Sequence, residues 1–158
     1  MIQLILGGAR SGKSRLAEQT AILSTLPVTY IATAQAWDDE MQERITHHQA
    51  QRPATWNLVE EPLYLADCLT LWMSNVLMHD NAQLQQDECK KLLDILPHLQ
   101  SDILLVSNET GLGIVPMGQL SRKFVDESGR LHQQLGQISD KVIFCVAGFP
   151  MILKGDKV

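Results

Sequence analysis

The sequence predicts an α/β fold, with a doubly wound, mostly parallel sheet and helices on both faces. Short runs that are apolar throughout recur along the chain, as in strands buried on both faces of a parallel sheet. Amphipathic helical patterns lie between them, and this alternation is typical of the fold class. A glycine-rich octet joins the first apolar run to the first helical pattern. The length of 158 residues suits a single domain, residues 1–158.

Each predicted element follows from one of these patterns. The apolar runs predict strands at 2–6, 28–33, 64–68, 102–108 and 141–148. Helical patterns occupy residues 12–23, 38–51, 84–96 and 119–139. The last of these repeats Leu120, Phe124 and Leu131 at helical spacing. Pro97 ends the helix before it.

One connection is too short for this fold. The stretch TWNLVEEPLYLADC (55–68) holds two extended runs separated by little more than Glu61 and Pro62. Neighbouring parallel strands need a crossover of about a dozen residues or more. Either the first run is a hairpin partner, or a connecting segment near 61–64 is missing from the sequence.

The composition restricts partners and compartment. The net charge is -5 with no basic tract, so we expect no nucleic-acid partner. No apolar run has membrane-spanning length, and no signal-peptide pattern is present. Cys68, Cys89 and Cys145 lack metal-ligand spacing, which favours buried reduced thiols. We therefore expect a cytoplasmic protein without a membrane span.

The octet GGARSGKS predicts nucleotide binding in a P-loop NTPase-like fold. It fits G-x-x-x-x-G-K-[ST], in which the backbone N–H groups cradle phosphates. Lys13 would reach the β and γ phosphates, the Ser14 hydroxyl would ligate Mg²⁺, and the following helix presents its positive N-terminus. A purely structural glycine-rich turn is the alternative. The predicted nucleotide contacts here are Gly7, Gly8, Ala9, Arg10, Ser11, Gly12, Lys13 and Ser14.

Asp67 is a candidate for a second magnesium-organising carboxylate. It closes a predicted strand, and ligands of open α/β sheets bind at the carboxyl ends of strands. P-loop proteins place such a carboxylate there. The alternative is a helix N-cap for the segment that begins near Thr70.

Two adjacent histidines follow the second predicted strand. Neighbouring helical residues point about 100° apart, so only one of them can face a given site. His48 falls on the apolar stripe of Met41 and Ile45, which favours packing, whereas His47 shares a face with Arg44. Spacing alone favours a solvated polar face over a catalytic one.

The stretch SNETGLGIVP (107–116) follows the fourth predicted strand. Its two glycines and its proline indicate a loop. A GTPase would carry a base-reading N-K-x-D near this point, and Asn108–Glu109–Thr110 is not that motif. A GTP-binding regulatory switch is therefore the less favoured class.

Taken together, five segments in this order resemble one family over Met1 to Lys154. They are GGARSGKS, TYIATAQAWDDEMQERITHHQAQRPATW, DCLTLWMSN, VSNETGLGIVP and LSRKFVDESGRLHQQL. The family is the bifunctional adenosylcobinamide kinase / adenosylcobinamide-phosphate guanylyltransferase of cobalamin biosynthesis. The combination of D-D-E-M-x-x-R-I-x-H-H, R-P-x-x-W and N-E-x-G-x-G-I-V-P is highly specific.

The resemblance assigns roles to residues that spacing left open. It implies that His47 becomes covalently attached to GMP, with Lys13 as the second catalytic residue. Arg44 becomes a candidate clamp on the α-phosphate. Further nucleotide contacts implied by the resemblance are Thr33, Ala34, Gln35, His48, Gln49, Ala50, Gln51, Glu60 and Asp67, in addition to the octet. The implied metal ligands are Ser14 and Asp67.

The resemblance also implies reactants and assembly. The small-molecule partners would be a corrinoid and a nucleotide, with GTP as substrate, ATP as a second possible one, and Mg²⁺ as cofactor. A homotrimer is expected. Family members carry a helical connection of one to two dozen residues where this chain has only 61–64, which favours a missing segment over a natural deletion. A monofunctional guanylyltransferase is the alternative within the enzyme class.

Overall fold

Strands and helices alternate along the chain. A computed structural model describes residues 1–32, 46, 53, 55–60 and 68–156. The elements in chain order are β1 (Ile2–Gly7), α1 (Lys13–Ser24), β2 (Thr29–Ala32), β3 (Asn57–Glu60), α2 (Leu69–Leu77), α3 (Ala82–Ile95), a 3-10 turn (Leu96–His98), β4 (Ile103–Asn108), α4 (Gln119–Ile138), β5 (Lys141–Val146) and β6 (Phe149–Lys154).

β1 lies between two parallel neighbours. The strand order is β4-β1-β5-β6, and β1 pairs in parallel with both β4 and β5. At its carboxyl end, Gly7 lies opposite Asn108 of β4 and Cys145 of β5. β2 and β3 form a second parallel pair, while β6 runs antiparallel to β5. The predicted mostly parallel sheet is confirmed.

Helices cover both faces of the sheet. Successive side chains of a strand point to opposite faces, so an apolar strand exposes apolar side chains on both faces unless helices bury them. Leu4 and Leu6 of β1 belong to the larger core cluster, which also holds buried residues of α2, α3 and α4. Ile5 belongs to a second cluster, against which Leu16 and Ala17 of α1 pack. Burial on both faces is the reason that these strands are continuous apolar runs.

α4 is longer than the neighbouring strands. Its 20 residues span about 30 Å at the helical rise. The six-residue β4 and β5 span about 20 Å each. Because α4 ends just before β5 begins, its first turns extend past the carboxyl edge of the sheet.

The last predicted strand is shorter than expected. β5 ends at Val146, and Ala147 and Gly148 form a two-residue turn with φ values of 51° and 83°. Positive φ at both central residues is the type I′ pattern that suits a tight hairpin. The turn leads into β6, which the sequence analysis did not predict. The helices predicted at 84–96 and 119–139 are confirmed as α3 and α4.

Two predicted elements lie outside the described residues. They are the strand at 64–68, except for Cys68, and the helix at 38–51, except for Thr46, which is helical. Residues 57–60 form β3, whose described partner is the parallel strand β2. The connection at 61–67 is outside the described part of the chain, so the missing crossover stays a prediction.

The described part of the chain bears on two compositional expectations, and the expected burial of the thiols holds for Cys145 alone. None of its helices combines the length and the apolar character needed to cross a bilayer. None of the three cysteines forms a disulfide among the described residues, and Cys145 is buried whereas Cys68 and Cys89 are half-buried. Burial is the main reason that the pKa of Cys89 rises to about 11, with Glu127 and Glu88 contributing. This thiol is therefore protonated at neutral pH.

Truncation of Leu105 should destabilise the fold. Leu105 on β4 is fully buried in the larger core cluster. Leu105→Ala is expected to lower the free energy of unfolding by about 2–5 kcal/mol, because it removes buried methyl groups and leaves a cavity. Leu23→Ala is the matched control, since Leu23 is 81% exposed on α1. Urea denaturation measures both variants, and equal losses in the two would contradict this position of the core.

Candidate active site

The loop at residues 8–12, named the phosphate loop after its sequence motif, joins β1 to α1. Its backbone path requires glycine at two positions, Gly7 and Gly12. Gly12, which precedes α1, has φ 92°, and a Cβ on it would lie 3.1 Å from the Gly148 Cα. A Cβ on Gly7 would clash with Ser11 Oγ and lie 2.8 Å from the Cys145 carbonyl oxygen. These contacts explain why the motif needs its glycines here.

The β5–β6 turn supports the phosphate loop from outside. The Gly148 N–H donates to the Ser11 carbonyl oxygen at 2.9 Å. Within the loop, the Ser11 N–H donates to the Gly8 carbonyl oxygen at 3.3 Å. The hairpin that sequence reasoning missed therefore helps to fix the loop conformation.

Lys13 closes the loop from within. It is the first residue of α1 and only 9% exposed, and its Nζ donates to the Gly8 carbonyl oxygen at 3.2 Å. No ion pair joins it to a carboxylate among the residues described. Ser11 Oγ is buried and has no hydrogen-bond partner there. A buried cation and an unpartnered hydroxyl in one loop suit an anionic ligand, because desolvated polar groups need partners.

Ser14 is the predicted magnesium ligand within the described residues. It is the second residue of α1 and half-buried. Mg²⁺ takes oxygen ligands and commonly uses one or two side chains, with phosphates and water completing the shell. One hydroxyl beside a phosphate loop fits that requirement. Asp67, the second predicted ligand, lies outside the described residues.

A buried polar chain lies below the carboxyl end of β4. Ser107 on β4 and His132 on α4 are both buried, and Ser107 Oγ lies 2.8 Å from His132 Nε2. Thr70 Oγ1, from α2, lies 3.3 Å from Ser107 Oγ and accepts the Asn108 N–H at 2.8 Å. Three elements therefore share one hydrogen-bonded network.

Glu109 lies beyond the last hydrogen bond of this network, toward the surface. Its backbone N–H donates to the Gly7 carbonyl oxygen at 3.1 Å, which ties it to the start of the phosphate loop. Its Oε1 accepts the Gly111 N–H at 2.7 Å, and its Oε2 lies 3.6 Å from His132 Nδ1. The sequence predicts only that this glutamate lies in a loop. The signal in the sequence was its position directly after a buried strand.

His132 is neutral at pH 7 although Glu109 lies close to it. Burial is the main influence on the pKa of His132 and lowers it, and the Glu109 carboxylate offsets only part of that effect. The separation of 3.6 Å between Nδ1 and Oε2 is also too long for a well-formed hydrogen bond. We therefore treat this contact as one between a neutral imidazole and a carboxylate.

An apolar pocket of about 380 Å³ opens beside this network, between α2, α4 and the loop that follows β4. The loop contributes Thr110 and Pro116 to its wall. The helices contribute Ser74, Leu77, Met78, Leu120, Ser121, Phe124 and Val125. Ile114 and Met117 of the same loop are almost fully exposed. The carboxyl edge of the sheet therefore carries an apolar surface beside its polar groups.

The structure brings together one part of the predicted site. Residues 8–12 form the loop between β1 and α1, with Gly7 at the end of β1 and Lys13 and Ser14 at the start of α1. Glu60 ends β3, but its side chain is outside the described set. The remaining predicted residues also lie outside it: Thr33, Ala34, Gln35, Arg44, His47, His48, Gln49, Ala50, Gln51 and Asp67. Their approach to the phosphate loop stays a prediction.

Comparisons with known proteins agree with the resemblance seen in the sequence. A family model described as cobinamide kinase / cobinamide phosphate guanyltransferase matches residues 3–153. A bifunctional adenosylcobalamin biosynthesis protein CobP of Pseudomonas aeruginosa is 54% identical over 171 residues, with 99% of each chain covered. A bifunctional adenosylcobalamin biosynthesis protein CobU of Salmonella typhimurium is 36% identical, with 98% of this chain and 100% of the relative covered. The protein of that name from Escherichia coli is 35% identical at the same coverage.

The aligned lengths bear on the short connection. The alignment with the Pseudomonas protein spans 171 positions, whereas this chain has 158 residues, so the relative carries at least 13 residues that this chain lacks. The size of that difference is compatible with a missing crossover. Its location near 61–64 stays a prediction.

Proposed function

The chain belongs to the cobinamide kinase / cobinamide phosphate guanyltransferase family, and on that premise we propose that it catalyses two successive reactions. The first phosphorylates the terminal hydroxyl of adenosylcobinamide. The second transfers GMP from GTP to adenosylcobinamide phosphate and gives adenosylcobinamide-GDP. The observation that carries this proposal is the formed phosphate loop with its buried Lys13, in a chain that matches the family over 3–153.

The kinase step depends on positioning and charge. The substrate hydroxyl attacks the γ-phosphorus, and the nucleoside diphosphate leaves with the bridging oxygen. Lys13 and the N–H groups of the loop bind the phosphates and stabilise the charge that develops on them. Ser14, together with Asp67, would hold Mg²⁺, which when bound neutralises phosphate charge. GTP is the proposed donor, and ATP would fit the same loop.

The transfer step is proposed to use His47 as a nucleophile. A neutral imidazole nitrogen attacks the α-phosphorus of GTP, and pyrophosphate leaves. A phosphate oxygen of adenosylcobinamide phosphate then attacks the same phosphorus and the P–N bond breaks. Covalent catalysis divides one difficult displacement into two easier ones. Support for His47 comes from the sequence resemblance, with Arg44 as the clamp on the α-phosphate.

The proposal includes assembly and compartment. A homotrimer and a cytoplasmic location follow from the family resemblance and from the composition. The absence of a basic tract supports small-molecule substrates over nucleic acid.

Two labelled nucleotides test the proposed function. With γ-labelled GTP or ATP and adenosylcobinamide, the bifunctional enzyme yields labelled adenosylcobinamide phosphate. With α-labelled GTP, it becomes labelled itself and then passes the label to adenosylcobinamide phosphate. A monofunctional guanylyltransferase would give only the second result, and a regulatory switch would give neither.

Asp67→Asn should weaken magnesium-dependent turnover. The change removes the carboxylate charge but keeps the side-chain shape, so metal binding should suffer and folding should survive. We expect at least a tenfold lower kinase rate at low Mg²⁺, with partial recovery at high Mg²⁺. Asp80→Asn is the control, since Asp80 is exposed after α2. Undiminished activity at ordinary Mg²⁺ would identify Asp67 as a helix cap instead.

A further inference from the structure

The buried hydrogen-bonded network of Thr70, Ser107 and His132 has no evident role in building the core. These side chains lie at the edge of the larger apolar cluster, and Ser107 and His132 are less than 10% exposed. Burying polar groups costs free energy even when they are hydrogen-bonded, and an apolar replacement is often neutral. Such a network therefore suggests that something at its end must be held in place. That end is Glu109.

The three hydrogen bonds of this network can all run in the same direction, from Asn108 towards His132. The Asn108 N–H donates to Thr70 Oγ1, which leaves the Thr70 hydroxyl hydrogen for Ser107 Oγ. The Ser107 hydroxyl then donates to His132 Nε2. In a neutral imidazole the remaining hydrogen is on Nδ1, the nitrogen that faces Glu109. This tautomer is the one assigned by that arrangement of donors.

Glu109 occupies a place where ligands of such sheets bind. It directly follows β4, beside the end of β1, at the carboxyl edge. Among the described residues that come directly after β1, β4 and β5, it is the only carboxylate. Its side chain is 21% exposed, so one side of the carboxylate can reach a ligand.

We propose that Glu109 accepts the proton of the attacking hydroxyl in the kinase step, and that His132 and Ser107 are positioning residues for it. The inference rests on the proposed function. The hydroxyl oxygen forms a bond to the γ-phosphorus and its proton passes to a Glu109 carboxylate oxygen. The bond from the γ-phosphorus to the bridging oxygen breaks, and the diphosphate leaves with the electron pair.

Glu109 serves only one of the two proposed reactions. An alcohol is a weak nucleophile while it keeps its proton, so a positioned base accelerates its attack. The nucleophiles of the transfer reaction are a neutral imidazole and a phosphate that is already ionised, and neither needs a base. The pocket supports this assignment. Its wall includes Thr110, the neighbour of Glu109 in sequence, and its interior has room for the organic part of an alcohol.

Glu109→Gln separates the two reactions. The amide keeps the shape and can still accept the Gly111 N–H, but it cannot take a proton at neutral pH. We expect kcat of the kinase step to fall about 100-fold or more. Self-labelling by α-labelled GTP, and GMP transfer to adenosylcobinamide phosphate, should stay within about threefold of wild type. Glu127→Gln on α4 is the control, because Glu127 pairs with Arg130 at the surface.

Three outcomes would overturn the inference. Kinase turnover of Glu109→Gln within a few-fold of wild type would rule out Glu109 as the proton acceptor. It would leave the proposed function intact. Equal loss of both reactions in a variant with wild-type melting behaviour would make Glu109 structural. Wild-type protein without kinase turnover would instead contradict the proposed function, and the inference with it.

His132 is tested through two variants. His132→Ala removes the donor that faces Glu109, so kcat of the kinase step should fall about tenfold with little change in KM. His132→Asn places an amide near the position of Nδ1 and should recover part of that loss. If His132 only packs, His132→Ala should lose self-labelling as much as it loses kinase turnover, and His132→Asn should not recover kcat. That result would overturn the positioning role.

Discussion

Lys13→Ala should reduce kinase turnover by about 10²–10³-fold or more, the usual cost of removing a charge-stabilising group. The ammonium is buried against the Gly8 carbonyl oxygen and so is fixed within the loop that is proposed to bind the phosphates. The other cation of the loop, Arg10, is exposed and outside this contact. Transfer of γ-label from GTP or ATP to adenosylcobinamide measures the effect.

The matched control is Lys90→Ala, because Lys90 is an exposed lysine on α3. It should retain wild-type kinase turnover. Thermal melting of both variants checks that the loss in Lys13→Ala is not caused by unfolding. Kinase turnover of Lys13→Ala within a few-fold of wild type would contradict the role of the phosphate loop.

His47→Ala should lose all covalent labelling by α-labelled GTP while it keeps the kinase step. The label on wild-type protein should come off in mild acid and survive alkali, since a phosphoramidate is acid-labile and base-stable. The kinase step depends on the phosphate loop and on the attacking hydroxyl, so it does not require this imidazole. Label retention after denaturation and product formation with γ-labelled nucleotide are the two measurements.

The neighbouring histidine provides the control. His48→Ala should keep much of the label, because the sequence predicts a helix here, in which adjacent side chains point about 100° apart and His48 falls on the predicted apolar stripe. Labelling that persists in His47→Ala and disappears in His48→Ala would move the nucleophile by one residue. Labelling lost in neither variant would place the GMP on another residue, whereas wild-type protein that takes up no label would contradict the covalent mechanism.

The failure to predict β6 has a physical explanation. Its sequence, FPMILK, is mostly apolar, but it contains Pro150, which cannot donate to a sheet ladder and is disfavoured within strands. Among the described strands, β6 stands at the end of the order and has β5 as its only neighbour. A proline is tolerated there, since an edge strand has one side without ladder hydrogen bonds.

The sequence by itself determined the fold class and the phosphate loop. Residues buried on both faces of a sheet must be apolar at successive positions, and a loop that wraps a phosphate needs glycines at fixed spacing. Both requirements are local, so they are readable along the chain. The buried strands and the conformation at Gly12 confirm them.

Only the tertiary structure decided which distant groups meet. Gly148 supports the phosphate loop from a hairpin more than a hundred residues away in sequence, and His132 on α4 reaches both Ser107 and Glu109. No periodicity records these contacts, because they depend on which strands are neighbours and on the length by which α4 passes the sheet. The order β4-β1-β5 brings Glu109 beside Gly7, and that adjacency turned a loop residue into a candidate for the chemistry.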